Sequence, residues 1–132
     1  MRILIAEDDF TSRVLMQKLL IPYGECDVVV DGEEALEAFS LALEEGEPYR
    51  LVCLDIMMPK MDGQQALKAI RQVEHERGVS PRNEVRIIMT TALDSPKEVV
   101  EAYYRGGCTG YLVKPIEKAK LQELLTDLGI VI

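Results

Sequence analysis

Five short apolar runs alternate with five segments of helical periodicity along this chain, and that alternation leaves few folds open. The runs are Met1 to Ala6, Cys26 to Val30, Leu51 to Leu54, Val85 to Thr90 and Tyr111 to Val113. Nearly unbroken apolar runs suit strands buried on both faces of a sheet, where the polar alternation of a half-wet strand is absent. Between them, Val14, Leu15, Met16, Leu19 and Leu20 form a helical stripe halted by Pro22 and Gly24. Ala35, Leu36, Phe39 and Leu43 repeat in the same way before Gly46 and Pro48, as do Ala66, Leu67, Ile70 and Val73 after Asp62-Gly63. Ser95-Pro96-Lys97-Glu98 offers a cap, a proline at the first helical position and a glutamate three residues after the cap, so it predicts a fourth helix closed by Gly106-Gly107. Leu121, Leu124, Leu125 and Leu128 mark a fifth. Strict strand-then-helix order builds a parallel sheet through right-handed crossovers with helices on both faces, so the expected fold is α/β and doubly wound. The Gly78 to Asn83 stretch reads as a surface loop.

A length of 132 residues, 48% of them hydrophobic, suits one domain with a real core, expected to occupy residues 1–132. The net charge of −8 argues against a non-specific grip on nucleic acid, which needs clustered lysine and arginine. No apolar stretch approaches the ~18 residues that span a bilayer, so no membrane association is expected. Cys26, Cys53 and Cys108 are odd in number and widely spaced, which predicts unpaired thiols in a reducing cytoplasm.

The ends of the runs carry the chemistry. The first stops at Asp8 and Asp9, the third at Asp55, the fourth at Thr91 and the fifth at Lys114. In open parallel sheets ligands bind beyond the carboxyl ends of the strands, so these residues should share one crevice. Three carboxylates crowded together repel, and a hard divalent cation relieves that repulsion. Mg²⁺ prefers one or two carboxylates, waters and a phosphate oxygen, and Mn²⁺ could replace it. Lys114 as a point charge and Thr91 as a neutral donor would complete a cradle for a phosphoryl group. His75, in Glu74-His75-Glu76-Arg77, reads as part of a solvated helix end.

Four motifs resemble the receiver domain of two-component response regulators, and in particular its single-domain chemotaxis-type members. They are Ile5-Ala6-Glu7-Asp8-Asp9, Leu54-Asp55-Ile56-Met57-Met58-Pro59-Lys60-Met61-Asp62-Gly63, Thr91-Ala92, and Gly110-Tyr111-Leu112-Val113-Lys114-Pro115. The resemblance implies a flavodoxin-like, doubly wound five-stranded parallel sheet of order 2-1-3-4-5 with five helices, an order for which a member of this family is a standard example. It further implies that Asp55 accepts a phosphoryl group from a phosphohistidine of a sensor histidine kinase or histidine phosphotransfer protein. Asp9 would ligate Mg²⁺ directly, with Asp8, Asp55 and the backbone carbonyl of Met57 completing the protein's share. Lys114 would pair with the phosphoryl oxygens, Thr91 would move toward one of them, and Tyr111 would act as the aromatic switch. Pro115 holds a position where the family often has a cis peptide bond.

The same resemblance places Tyr103, Tyr104, Tyr111, Lys118 and Lys120 on the face of helix four, strand five and helix five, the family's output and dimerisation surface. A downstream protein would dock there, and the chain would be a monomer or a phosphorylation-induced homodimer. Such a chain is a regulatory phosphoacceptor rather than an enzyme acting on an external substrate. A small aspartyl-nucleophile phosphatase would need a second aspartate at Met57, and a phosphorylation-independent adaptor commonly lacks one of Asp55, Thr91 and Lys114. Met57 and Leu93, two residues beyond Asp55 and Thr91, cannot orient water by hydrogen bonding, which predicts slow loss of the phosphoryl group.

Overall fold

The computed structural model describes residues 1–92 and 95–132, so Leu93 lies outside the described residues. Strands β1 (Arg2–Ala6), β2 (Glu25–Val29), β3 (Leu51–Asp55), β4 (Arg86–Thr91) and β5 (Gly110–Val113) form one sheet. All neighbours pair in parallel in the order β2-β1-β3-β4-β5, as expected. Helices α1 (Phe10–Leu20), α2 (Gly32–Glu44), α3 (Gly63–Glu76), α4 (Pro96–Val100) and α5 (Lys118–Asp127) supply the crossovers and the last cover.

The register separates two cores. Leu4, Ala6, Val52, Leu54, Ile87 and Met89 pack against α2 and α3 on one face. Ile3, Ile5, Leu51, Cys53 and Ile88 pack against α1 and α5 on the other. Side chains alternate faces at every residue of a strand, so apolar residues at consecutive positions feed both cores. Cys53 and Cys108 are buried, Cys26 is half-buried, and all three are unpaired. No helix among the described residues is long and apolar enough to cross a membrane.

Local chemistry sets the element ends. Asp9, Asp31, Asp62 and Ser95 each cap the next helix by accepting a backbone N–H. Asp31-Gly32 is therefore a helix start. The expected helix four begins at its Ser95 cap but continues beyond Val100 as a π-helical segment, Glu101–Gly106, closed by Gly107 at φ 77°. The loop after α3 includes a 3-10 turn, Pro81–Asn83, and a second such turn, Ile21–Tyr23, succeeds α1.

One close approach places the site. A Cβ on Gly63 would lie 2.3 Å from the carbonyl oxygen of Asp55 and 2.8 Å from Cα of Ile56. The amino end of α3 is thus seated on the backbone that presents Asp55, and the N–H of Gly63 donates to the carbonyl of Ile56 at 2.9 Å. Gly63→Ala is expected to cost ~1–3 kcal/mol by overpacking, read from urea unfolding; an unchanged midpoint would show that α3 can slide away freely.

Candidate functional site

Backbone bonding continues one residue past three of the strands and fixes the path of the chain as it leaves the sheet. Glu7 N–H donates to the Val29 carbonyl at 3.1 Å, Ile56 N–H to Thr90 at 3.0 Å and Lys114 N–H to Thr91 at 2.7 Å. The crevice is therefore held by the sheet ladder rather than by free loops. Glu7 and Asp55 are both buried, at 2% and 4% exposure. The Lys114 ammonium bonds to Glu7 Oε1 and stands 3.5 Å from Asp55 Oδ1.

The structure groups the acids differently from the expected Asp8 and Asp9 pair. One carboxylate oxygen each from Glu7, Asp8 and Asp55 lies within 4.8 Å of the others. Asp9 is not in that group: its Oδ2 accepts the Ser12 N–H at 2.9 Å, capping α1, and this bond holds its carboxyl below the usual aspartate range. The physical reason is where strand and helix meet. Glu7 is still held on the sheet ladder by its N–H bond to the Val29 carbonyl, whereas α1 begins at Phe10 and takes the preceding residue, Asp9, as its cap. The helix start directly after Asp9 is the signal in the sequence that separates Asp9 from Glu7 and Asp8.

Arg13 is a second residue that the strand-end pattern misses. Its Nη1 donates to the carbonyls of Glu7 at 2.9 Å and Asp8 at 3.4 Å, and its guanidinium sits 5.6 Å from the Phe10 ring centroid. It ties the first turn of α1 to the acidic loop. Met57 lies between β3 and α3 with its side chain exposed.

Thr91 is fully buried at the end of β4. The register sets Met89 beside Tyr111 and Thr91 beside Val113, so Thr91 and Tyr111 share the α2 and α3 side of the sheet. The half-buried Tyr111 ring stacks on Tyr103 with centroids 6.4 Å apart. Tyr104 and Lys118 are exposed, and the Lys114–Pro115 peptide is cis.

Burial, then the hydrogen bond and charge of Glu7, pushes Asp55 up to about 7, with Lys114 pulling the other way. Burial works to lower the Lys114 pKa, but the bond to Glu7 and the charges of Asp55 and Glu7 together leave it raised. The crevice thus carries more negative charge than one ammonium neutralises, and its donors are all hard oxygens. That donor set suits a divalent cation such as Mg²⁺.

The sign of the Asp55 shift sets the pH dependence of stability. A carboxyl with a raised folded pKa keeps its proton in the folded chain while the unfolded chain loses it, so stability falls as pH rises from about 4 to about 7. Asp55→Asn should therefore stabilise the metal-free protein, by ~1–3 kcal/mol at pH 7.5 and by clearly less at pH 5. Urea unfolding at the two pH values measures this, and an equal gain at both would contradict it.

Comparison with known proteins agrees with this geometry. The response regulator receiver domain family matches residues 3–126. The chain is 32% identical to the chemotaxis protein CheY of Bacillus subtilis over 124 residues, covering 94% of this chain and 93% of that protein. It is 36% identical to the sensor histidine kinase GacS of Pseudomonas protegens over 125 residues, covering 94% of this chain but spanning only 13% of that kinase. Its fold superposes on CheY in the CheX-CheY-BeF3-Mg complex from Borrelia burgdorferi with a TM-score of 0.79 at 28% identity, covering 98% of this chain and 90% of that one. The receiver domain of the histidine kinase CKI1 from Arabidopsis thaliana, as a D1050A mutant, gives 0.81 at 26% identity, covering 97% and 89%. Family match, fold and strand-end residues agree: the chain belongs to the response regulator receiver domain family of two-component signalling.

Proposed function

We propose that residues 1–132 form one receiver domain that works as a phosphorylation switch, with Asp55 as the phosphoacceptor. The observation that carries this is the buried Asp55 carboxylate facing Lys114 inside the Glu7, Asp8 and Asp55 cluster. An Asp55 oxygen attacks the phosphorus of a phosphohistidine on a partner kinase or phosphotransfer protein. The new bond is an acyl phosphate, the bond that breaks is phosphorus to nitrogen, and the imidazole leaves with a proton from solvent. Lys114, already within 3.5 Å of Asp55, pairs with the phosphoryl oxygens. Asp8 and Asp55 would hold Mg²⁺ or Mn²⁺, with Glu7 and the Met57 carbonyl beside them; the ion offsets the charge gathering on the transferred group.

Once formed, the acyl phosphate offers acceptors to the Thr91 hydroxyl at the end of the neighbouring strand. Thr91 and Tyr111 share one side of the sheet, which supports coupling between them. The readout is then a changed face over α4, β5 and α5, with Tyr104, Tyr111 and Lys118 available to a protein partner or to a second copy. A cytoplasmic setting fits the three unpaired cysteines. Neither a phosphatase nor an unmodified adaptor has comparable support, since Met57 stands where a second catalytic aspartate would be needed.

Acetyl phosphate with Mg²⁺ should add one hydroxylamine-sensitive phosphoryl group, detected by intact mass, and Asp55→Asn should remove it; undiminished labelling of that variant would sink the reading. The grouping of Asp8, rather than Asp9, with Asp55 makes a sharper demand. Asp8→Asn should weaken Mg²⁺ binding by about tenfold or more, whereas Asp9→Ala should cost ~1 kcal/mol of stability as a lost cap. An Asp9→Ala variant that loses Mg²⁺ binding as severely as Asp8→Asn would restore Asp9 as a ligand. Met57→Asn, which supplies a group able to hold water beside the phosphoryl, should shorten the acyl-phosphate lifetime, and an unchanged decay would contradict that.

A further inference from the structure

A cleft of about 650 Å³ opens at the amino-terminal edge of the sheet, the edge opposite Asp55. Its volume lies within the range of small-molecule sites. Arg50 just before β3, Arg86 at the start of β4 and Arg82 in the Pro81–Asn83 turn all line it. The first two are adjacent, since Arg86 N–H donates to the Arg50 carbonyl at 3.4 Å. Among the described residues, none of these three guanidinium groups has an ion pair or a side-chain hydrogen bond. Elsewhere in the fold Arg2 pairs with Asp27, Arg71 with Glu74 and Arg105 with Glu101. In a chain of net charge −8, three arginines without an ion pair gather around one cleft.

The acids in the cleft do not cancel them. Glu74 is 2% exposed, and its two oxygens are taken by Arg71 at 2.7 Å and the Val85 N–H at 2.8 Å. Glu84 remains, which leaves a surplus of positive charge. The other walls are largely apolar: Leu43 from α2, Val79 beyond α3, and Leu128 and Ile130 after α5, with Tyr49 behind them. Planar guanidinium groups match phosphate oxygens in pairs, and an apolar wall receives the uncharged part of the same molecule.

We propose that this cleft binds a phosphorylated small molecule of the nucleoside-phosphate class, with the phosphates on Arg50, Arg82 and Arg86 and the base and sugar against the apolar wall. A simple dicarboxylate would satisfy the charge but leave most of the volume unfilled. The site is separate from the phosphoacceptor crevice and needs no metal.

The test is a titration of the isotopically labelled chain by NMR without Mg²⁺, using ADP, adenosine, inorganic phosphate and citrate as separate probes. ADP should give saturable shifts at the amides of Arg50, Val85 and Ile130, with a Kd below ~1 mM. Adenosine and phosphate should each bind at least about tenfold more weakly than ADP, because each supplies only half of the contact. Arg50→Gln/Arg86→Gln should weaken ADP by about tenfold or more, and Arg82→Gln, altered on an exposed turn, gives the same readout in a second background. Absence of saturable shifts at the cleft, equal affinity in both variants, or citrate binding as tightly as ADP would overturn the proposal.

Discussion

The functional edge of this fold depends on one ammonium group held between two buried carboxylates. Lys114 lies just past β5, Glu7 just past β1 and Asp55 ends β3, so its two contacts clamp three strands at their carboxyl ends. Buried like charges are tolerated only when paired, and here the pairing is incomplete: the buried Glu7 and Asp55 share one lysine, with the exposed Asp8 beside them. Burial, and after it the neighbouring Glu7, keeps Asp55 reluctant to ionise, and the charge shortfall makes the crevice receptive to a cation. Stability and cation affinity are opposed at this point, because the charge that destabilises the crevice is also the charge that would attract a divalent ion.

The surroundings keep that crevice rigid. Gly63 lets α3 press against the Asp55 backbone, and the Asp62 and Gln65 capping box fixes where α3 starts. Arg13 holds the Glu7 and Asp8 carbonyls from the other side. From α3, Gln64 donates to the Glu98 carbonyl at 3.0 Å, joining the helix behind Asp55 to α4. The Tyr103 and Tyr111 rings then link the π-helical continuation of α4 to β5. A change beside Asp55 therefore meets a continuous set of packed contacts leading to the α4 face.

Much of this was legible in the sequence for definite reasons. Asp55, Thr91 and Lys114 each stand where an apolar run stops, and a parallel sheet gathers such ends on one edge. The acids after β1 were harder because Glu7, Asp8 and Asp9 are contiguous, and a shift of one residue changes which of them faces inward. Counting alternate positions from Ile3 and Ile5 does not separate Glu7 from Asp9, which share parity; the helix start at Phe10, which takes Asp9 as its cap, does. The π-helical end of α4 was not readable, since it accompanies a contact between remote residues: a Cβ on Gly106 would lie 2.3 Å from Leu67. The arginine cleft was hidden for a similar reason, as Arg50, Arg82 and Arg86 are separated in the chain and converge only once β3 and β4 pair.

The most direct measurement is an anomalous diffraction map from crystals of the chain soaked in Mn²⁺. One ion is expected, bound by carboxylate oxygens of Asp8 and Asp55 beside Glu7, with Asp9 still accepting the Ser12 N–H. An ion ligated by Asp9, or a crevice that stays empty at saturating Mn²⁺ while Lys114 remains on Glu7, would contradict it.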